Sequence, residues 1–148
     1  MNPLLHRRLL LQAGCASGLS LAGVAARACE FSGSTLRVTH PWTRATSDEA
    51  TTAVVCMKFD EVLQDERLIG IQTPIATGAE MGGLGARDGV GFDIPKGQVS
   101  HLSESGSFIR LLGLLQPLEV GRTYPLQLLF EKGGSLRADL SVDYTRFR

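Results

Sequence analysis

The sequence predicts an all-β domain, and three observations support this prediction. Beyond residue 28 no stretch keeps the apolar period of a helix, whereas several short runs are apolar or alternate apolar and polar residues as strands do. Gly and Pro recur between these runs, which is typical of the turns of a β-sandwich or barrel. The clearest element is a hairpin: Leu126, Leu128 and Phe130 take alternate positions, Gly133-Gly134 supplies a left-handed turn, and residues 136–144 resume the period of two.

Residues 1–28 have the pattern of a cleavable export signal. Arg7 and Arg8 form its charged start, an apolar stretch covers residues 9–24, and Ala26-Arg27-Ala28 is a small-x-small cleavage site. The apolar stretch is too short, and too rich in Gly and Ala, for a membrane span. The pattern therefore predicts an exported, periplasmic protein with no stable membrane insertion after cleavage.

The route of export stays open between the general and the twin-arginine pathways. The pair Arg7-Arg8 followed by leucines resembles a twin-arginine signal, but His6 stands where Ser or Thr is usual. A lipoprotein signal is disfavoured, because neither Cys15 nor Cys29 has Leu three residues before it.

Residues 29–148 are enough for one domain with a core and too few for two ordinary domains. The signal holds three of the fifteen basic residues and none of the fifteen acidic ones, which leaves twelve basic against fifteen acidic side chains and a formal charge of minus three. A nucleic-acid or anionic-membrane binder would need a basic face. The charge therefore argues against both classes of partner.

Cleavage would leave Cys29 and Cys56, an even number of thiols in a compartment where disulfides persist. A bridge between them would tie the N-terminus to a strand and stabilise the fold by restricting the unfolded chain. The alternative is a flexible Cys29 and a buried, free Cys56. The sequence leaves both open.

The first strands are short. Leu36–Thr39 alternates apolar with polar residues, and His40-Pro41 ends or bends this strand. Trp42, which follows, is predicted to anchor the core. Ala53–Phe59 and Leu68–Ile71 are apolar, β-rich runs and are predicted to be strands.

The middle of the chain is less regular. Gly78–Gly97 contains seven glycines in twenty residues and is predicted to form loop and irregular strand. In the next strand Ile109 and Leu111 share one apolar face, and Phe108 and Arg110 lie on the opposite face. A set of charged residues before and after the second strand is predicted to form a solvated rim: Arg44, Asp48, Glu49, Asp60, Asp65, Glu66 and Arg67.

Three segments carry a resemblance to a known family. His40-Pro41-Trp42-Thr43-Arg44-Ala45-Thr46, the stretch from Gly113 to Gly121, and Phe130-Glu131-Lys132-Gly133-Gly134 resemble the PCu(A)C-type periplasmic copper chaperones. The resemblance implies a single cupredoxin-like, Greek-key β-sandwich over residues 29–148. It also implies Cu(I) as the bound metal and copper-delivery or cytochrome oxidase assembly proteins as partners.

The same resemblance implies where copper ligands should lie. Family members bind Cu(I) through Met and His side chains, soft ligands that this ion favours. Alignment on the flanking segments places Gly82 at the early His position and Leu84 at the adjacent Met position. The hairpin that carries the central Met is deleted after Val90, and Phe108 and Arg110 take the places of the His-x-Met pair. We therefore expect direct Cu(I) binding to be weakened or absent.

A rebuilt copper site would draw on Met81, His101 and Cys56, the remaining soft groups near the altered segment. His40 and Met57 are instead predicted to be structural. The alternative function is a periplasmic interaction module that keeps the fold and binds a protein or a small ligand through Phe108 and Arg110. No nucleophile elbow, His-Glu-x-x-His or Cys-x-x-Cys motif occurs, so the sequence predicts a protein that is not an enzyme.

Overall fold

The computed structural model describes residues 29–144, and every regular element in this range is a β-strand. The export signal predicted for residues 1–28, including its twin-arginine pattern, lies outside the described residues, as do residues 145–148. The strands are β1 (Glu30–Ser32), β2 (Arg37–Arg44), β3 (Thr52–Asp60), β4 (Glu66–Gln72), β5 (Ala76–Gly83), β6 (Phe92–Ile94), β7 (Ser100–Leu102), β8 (Ser107–Leu114), β9 (Thr123–Phe130) and β10 (Gly134–Tyr144).

The strands form one curled sheet in the order β5-β8-β3-β2-β10-β9-β4-β6. Strand β1 adds to β2, and β7 adds to β3. All pairings are antiparallel except that between β10 and β2, which is parallel. This parallel pair joins the two halves of the sheet, which curl over a common core. The all-β prediction is confirmed.

The core follows the period of two along each strand. Val55, Ile109 and Met81 lie side by side across β3, β8 and β5, and each is at most 2% exposed. In the other half of the sheet Leu68 and Leu128 are fully buried. Burying one such side chain contributes roughly 1.5 to 3 kcal/mol, so apolar burial is the main source of stability.

Strand β2 bends at His40 and does not end there. His40 has a φ of 50°, and the register against β3 shifts between Thr39 and Trp42. This bulge changes which side chains face the core: Thr43 is 1% exposed, whereas Trp42 is only half-buried and packs edge-on against Tyr144 with 4.8 Å between ring centroids. The prediction that Trp42 anchors the core was therefore wrong, because the bulge turns it to the outer face.

Two members of the predicted solvated rim are in fact buried, and Asp60 is the first, at 5% exposed. Its carboxylate accepts hydrogen bonds from Arg37 Nε at 2.6 Å and Arg37 Nη2 at 3.1 Å, and it pairs with Lys58 Nζ at 3.0 Å. The hydrogen bonds from Arg37 lower the pKa of Asp60 to about 2. Asp60 ends β3 inside a charged cluster, so its burial is compensated.

Glu66 is the second buried carboxylate, also 5% exposed. Its Oε1 accepts from the N–H groups of Arg67 and Lys132, both at 2.9 Å, and its Oε2 accepts from the Thr35 hydroxyl at 2.8 Å and the Gly133 N–H at 2.9 Å. Burial raises the pKa of this carboxyl, but these hydrogen bonds outweigh it and lower the pKa below its ordinary value. Glu66 thus fastens the start of β4 to the β9–β10 turn.

The predicted C-terminal hairpin is confirmed. Strands β9 and β10 pair from Phe130 opposite Gly134 to Thr123 opposite Ser141. Gly134 has a φ of 71°, the left-handed conformation that the turn requires. The glycine-rich segment forms the end of β5, an irregular connection over residues 84–91 and the short β6, as expected.

Candidate functional site

The sequence positions expected to correspond to copper ligands meet on one surface. Strands β5 and β8 pair so that Gly82 lies opposite Phe108 and Glu80 lies opposite Arg110. Met81 and Ile109, the residues between them, face the core. We call the surface formed by Glu80, Gly82, Phe108 and Arg110 the β5–β8 outer face.

The Phe108 ring covers Gly82. A Cβ at Gly82 would overlap the Cε2 atom of this ring, and Cζ and Cδ2 lie within 3.0 Å of the same position. Any side chain at position 82 would therefore require the ring to move. In this conformation, glycine at position 82 and the aromatic ring at position 108 depend on each other.

Arg110 is engaged on two sides. Its Nη1 lies 3.0 Å from Glu80 Oε1, and its guanidinium carbon lies 5.5 Å from the centroid of the Phe108 ring. The charge is compensated by a carboxylate and by the electron-rich face of the ring. An anionic ligand would have to displace Glu80, so the outer face does not offer Arg110 as an open anion site.

Sequence reasoning missed Glu80. A signal for it was present, because Glu80 precedes Gly82 by two residues and Arg110 follows Phe108 by two. Once Gly82 and Phe108 are opposite each other in an antiparallel pair, the other two residues must also be opposite. The missing information was the register between β5 and β8.

The three residues proposed for a rebuilt copper site do not come together. Met81 is 2% exposed in the core beside Ile109. Cys56 and His101 face the side of the sheet opposite to Met81. Met57 and Leu102, which pair across β3 and β7, face the core, so their chain neighbours Cys56 and His101 face outward, with His101 opposite Lys58. His101 is exposed and Cys56 is 1% exposed.

The chemistry of Cys56 also disfavours metal binding. Burial, together with the nearby Glu104 carboxylate, raises the pKa of its thiol to about 12. Metals bind the thiolate, which this environment disfavours at neutral pH. Cys56, on β3 opposite Trp42, therefore behaves as a small, buried apolar side chain.

Cys29 and Cys56 are both free thiols, so the disulfide that the sequence left open is not formed in the structure. Strand β2 separates them: the Cys29 carbonyl accepts a hydrogen bond from His40 N–H on one side of β2, and Cys56 pairs with Trp42 on the other. Two strand spacings amount to about 9.5 Å. A disulfide rarely joins Cα atoms more than about 7 Å apart.

His40 and Met57 have the structural roles predicted for them. Met57 is 3% exposed in the core. His40 lies at the bend of β2, and its Nε2 is 2.7 Å from Asp143 Oδ2 on β10. Among residues 29–144 no group of three or more His, Cys, Asp or Glu side chains is placed to hold a metal ion. The same residues form no helix that is long and apolar enough to cross a bilayer.

One exposed apolar residue adjoins the outer face. Leu84 is 87% exposed, and its N–H donates to the Gly106 carbonyl oxygen at 3.2 Å, next to the end of the Phe108 ring. The family resemblance places Leu84 at a ligand position and does not predict its exposure. Leu84 thus presents an exposed apolar side chain two residues beyond Gly82 in the sequence.

The sequence profile of one protein family matches residues 36–142, which is most of the described range. That family is described as "Putative lipoprotein LpqE-like". A curated relative, "Putative lipoprotein Lxx21020" of Leifsonia xyli subsp. xyli (strain CTCB07), is 44% identical over 45 residues. This match covers 30% of the chain and spans only 27% of the relative's length.

Solved structures with the same fold include PCuAC domains. The copper-bound PCuAC domain from PmoF2 superposes with a TM-score of 0.72 at 23% identity, covering 78% of this chain and 97% of that one. The apo PCuAC domain from PmoF1 gives 0.70 at 25% identity, covering 78% and 98%. The solution structure of CuI-DR1885 from Deinococcus radiodurans gives 0.59 at 25% identity, covering 70% and 75%. The cupredoxin-like β-sandwich expected from the resemblance is therefore confirmed.

Proposed function

The chain belongs to the LpqE-like family, and from that premise we propose that it is an exported, non-enzymatic protein of the copper-trafficking type that does not hold Cu(I) on its β5–β8 outer face. Two of its structural neighbours are described as copper-bound, one from PmoF2 and one from Deinococcus radiodurans, which supports a copper-related role for this scaffold. The periplasm is the proposed compartment. Proteins that receive copper, such as those of cytochrome oxidase assembly, are the proposed partners.

One observation carries the proposal that copper binding is weakened or lost. The Phe108 ring fills the space above Gly82, and Arg110 is held by Glu80 on the same face. Cu(I) favours thioether and imidazole groups, whereas this face presents a ring, a glycine and an ion pair. A guanidinium is permanently charged and repels a metal cation.

The test is a titration of the purified, reduced protein with Cu(I) in competition with a chromogenic chelator. Wild-type protein is expected to leave the chelator complex intact. Phe108→His combined with Arg110→Met restores the His-x-Met pair and is expected to withdraw copper from the chelator. Arg137→Met, which removes an exposed guanidinium elsewhere, is the matched control.

Gly82→His gives the test a second, structure-specific arm. Added to wild type, it should not produce copper binding and should destabilise the protein, because the new side chain meets the Phe108 ring. Added to the Phe108→His, Arg110→Met variant, it should strengthen binding further. Tight stoichiometric binding by wild type would refute the proposal, and its loss in Met81→Leu, His101→Ala or Cys56→Ser would reveal a rebuilt site.

An interaction module is the second candidate function, and the exposure of Leu84 favours it. Leu84 is 87% exposed and follows Gly82 by two residues, and the outer face itself presents an aromatic ring and an arginine, two residue types that are enriched in protein interfaces. Capture of partners from a periplasmic extract by wild type and by Leu84→Ser tests this, with Val120→Ser, also exposed but distant in sequence, as control. An unchanged capture profile for Leu84→Ser would remove this face from consideration.

A further inference from the structure

Two arginine side chains converge on Gly91, just before β6. The position that a Cβ would take at Gly91 lies 3.1 Å from Arg67 Nη2 and 3.1 Å from both Cζ and Nη1 of Arg87. The two guanidinium groups are thus no farther apart than twice that distance. A side chain at residue 91 would press against both groups, so glycine there lets them lie close to the backbone.

The convergence is built by two segments, β4 and the connection between β5 and β6. Arg67 comes from β4, which pairs with β6 through Leu68 opposite Phe92. Arg87 comes from the connection between β5 and β6, where its N–H donates to the Met81 carbonyl oxygen and its own carbonyl oxygen accepts from Met81 N–H, both at 3.2 Å. The backbone therefore fixes the origin of each side chain, and the fold directs both toward Gly91.

The charges at this point are not balanced. Arg67 Nη1 lies 3.3 Å from Asp93 Oδ1, but Asp93 is 81% exposed on its side-chain surface and the pair is correspondingly weak. Arg87 forms no ion pair with any residue from 29 to 144, although it is exposed and could extend into solvent. Two guanidinium groups held this close together, with only the Asp93 carboxylate among the described residues within ion-pairing distance of either, favour the binding of an anion between them.

We propose that Arg67, Arg87 and Gly91 form a binding site for a small oxyanion of the phosphate type. Guanidinium groups match such anions because each presents two N–H donors in a plane to two oxygens. The exposed Asp93 beside the site, and the exposed Asp88 next to Arg87 in the sequence, disfavour a polyanion and favour a small ligand. The shared chemistry fits either inorganic phosphate or the phosphate of a lipid headgroup. The site is separate from the β5–β8 outer face and does not depend on the copper proposal.

Titration of the isotope-labelled protein with inorganic phosphate at constant ionic strength tests the site. The amide resonance of Gly91 is expected to shift and saturate. Arg87→Gln should weaken the affinity by about tenfold or more, as expected for losing a charged hydrogen-bonding partner. Arg137→Gln, which changes an exposed arginine on β10, should leave the affinity unchanged.

Two further variants keep the test independent of folding defects. Gly91→Ala should weaken binding, because the new methyl group meets both guanidinium groups. Asp93→Asn should strengthen binding, since it removes the carboxylate that competes for Arg67, and a misfolded protein would not gain affinity.

A second arm distinguishes the source of the phosphate group. Sedimentation with vesicles of phosphatidylglycerol, against vesicles of phosphatidylcholine, reports headgroup binding. Saturation by inorganic phosphate alone identifies a soluble ligand, and sedimentation that is lost in Arg87→Gln identifies a lipid. Absence of both, or binding that Arg87→Gln leaves unchanged, would overturn the proposal.

Discussion

Glu66 offers the sharpest test of how buried charge stabilises this fold, through the substitution Glu66→Gln. The carboxylate accepts four hydrogen bonds, two at each oxygen, from Thr35, Arg67, Lys132 and Gly133. A glutamine keeps the shape but places a donor where one oxygen stood. The substitution therefore changes hydrogen bonding while leaving packing almost unaltered.

The size of the effect follows from the contacts. The less costly orientation puts the new amide nitrogen at the Oε2 position, where the Thr35 hydroxyl can reverse and accept. The Gly133 N–H cannot reverse and loses its acceptor. One unsatisfied N–H and the loss of charge from the remaining bonds together cost about 2 to 4 kcal/mol. We expect the free energy of unfolding to fall by this amount at pH 7.

Urea unfolding measures this free energy, and Glu131→Gln is the matched control in the same turn. Glu131 is exposed, so its replacement should change stability by no more than about 0.5 kcal/mol. Because the pKa of Glu66 is lowered in the folded protein, its contribution is present above the ordinary glutamate pKa and is lost as the pH falls. The difference in unfolding free energy between wild type and Glu66→Gln should therefore narrow as the pH falls below the ordinary glutamate pKa. A variant as stable as wild type at pH 7 would refute this reasoning.

Three other predictions concern single residues. The pKa of Asp60 is lowered to about 2. Its ion pair with Arg37 therefore stabilises the protein above the ordinary carboxyl pKa, and this contribution is lost as the pH falls toward 2. In chemical unfolding, wild type and Asp60→Asn should differ in stability at pH 7 and converge near pH 2. Because the pKa of Cys56 is raised, an alkylating reagent at pH 8 should modify Cys29 in the native protein and Cys56 only after denaturation. Peptide mass mapping would identify the modified residue. Labelling of Cys56 in the native protein would contradict its burial. Gly134→Ala should lower the free energy of unfolding by about 1 to 2 kcal/mol in thermal unfolding, because Gly134 has a φ of 71° and no atom lies near the new methyl group. Gly134→Asn should lower it less, since Asn tolerates this left-handed conformation better. Equal losses for the two variants would point to a cause other than backbone conformation.

Local patterns in the sequence predicted the strands well. Ile109 and Leu111 are buried on one face of β8 because alternation along a strand depends only on near neighbours. Trp42 was assigned to the wrong face because the bulge at His40 shifts the alternation by a residue. His40-Pro41 predicted an interruption, but not its effect on the residues that follow.

The candidate site was predictable in position and not in detail. Phe108 and Arg110 were placed on an outward face by strand period, which the structure agrees with. Their contacts with Gly82 and Glu80 depend on the pairing of strands that are distant in sequence, which no local pattern encodes. The burial of Glu66 has the same origin, since its hydrogen-bond donors come from β4 itself, from the segment before β2 and from the β9–β10 turn.

The parallel pairing of β10 with β2 has a consequence for how the protein is made. Trp42, near the start of the domain, lies opposite Ser141, near its end, and this pair joins the two halves of the sheet. The sheet cannot close until the last strand has left the ribosome, so this domain stays incomplete until β10 has been made. Contacts this distant in sequence also slow folding, because the entropy of closing the chain is lost before the strands begin to stabilise each other. A premature stop that removes residues 134–144 would therefore leave a chain that cannot fold, rather than a shortened domain.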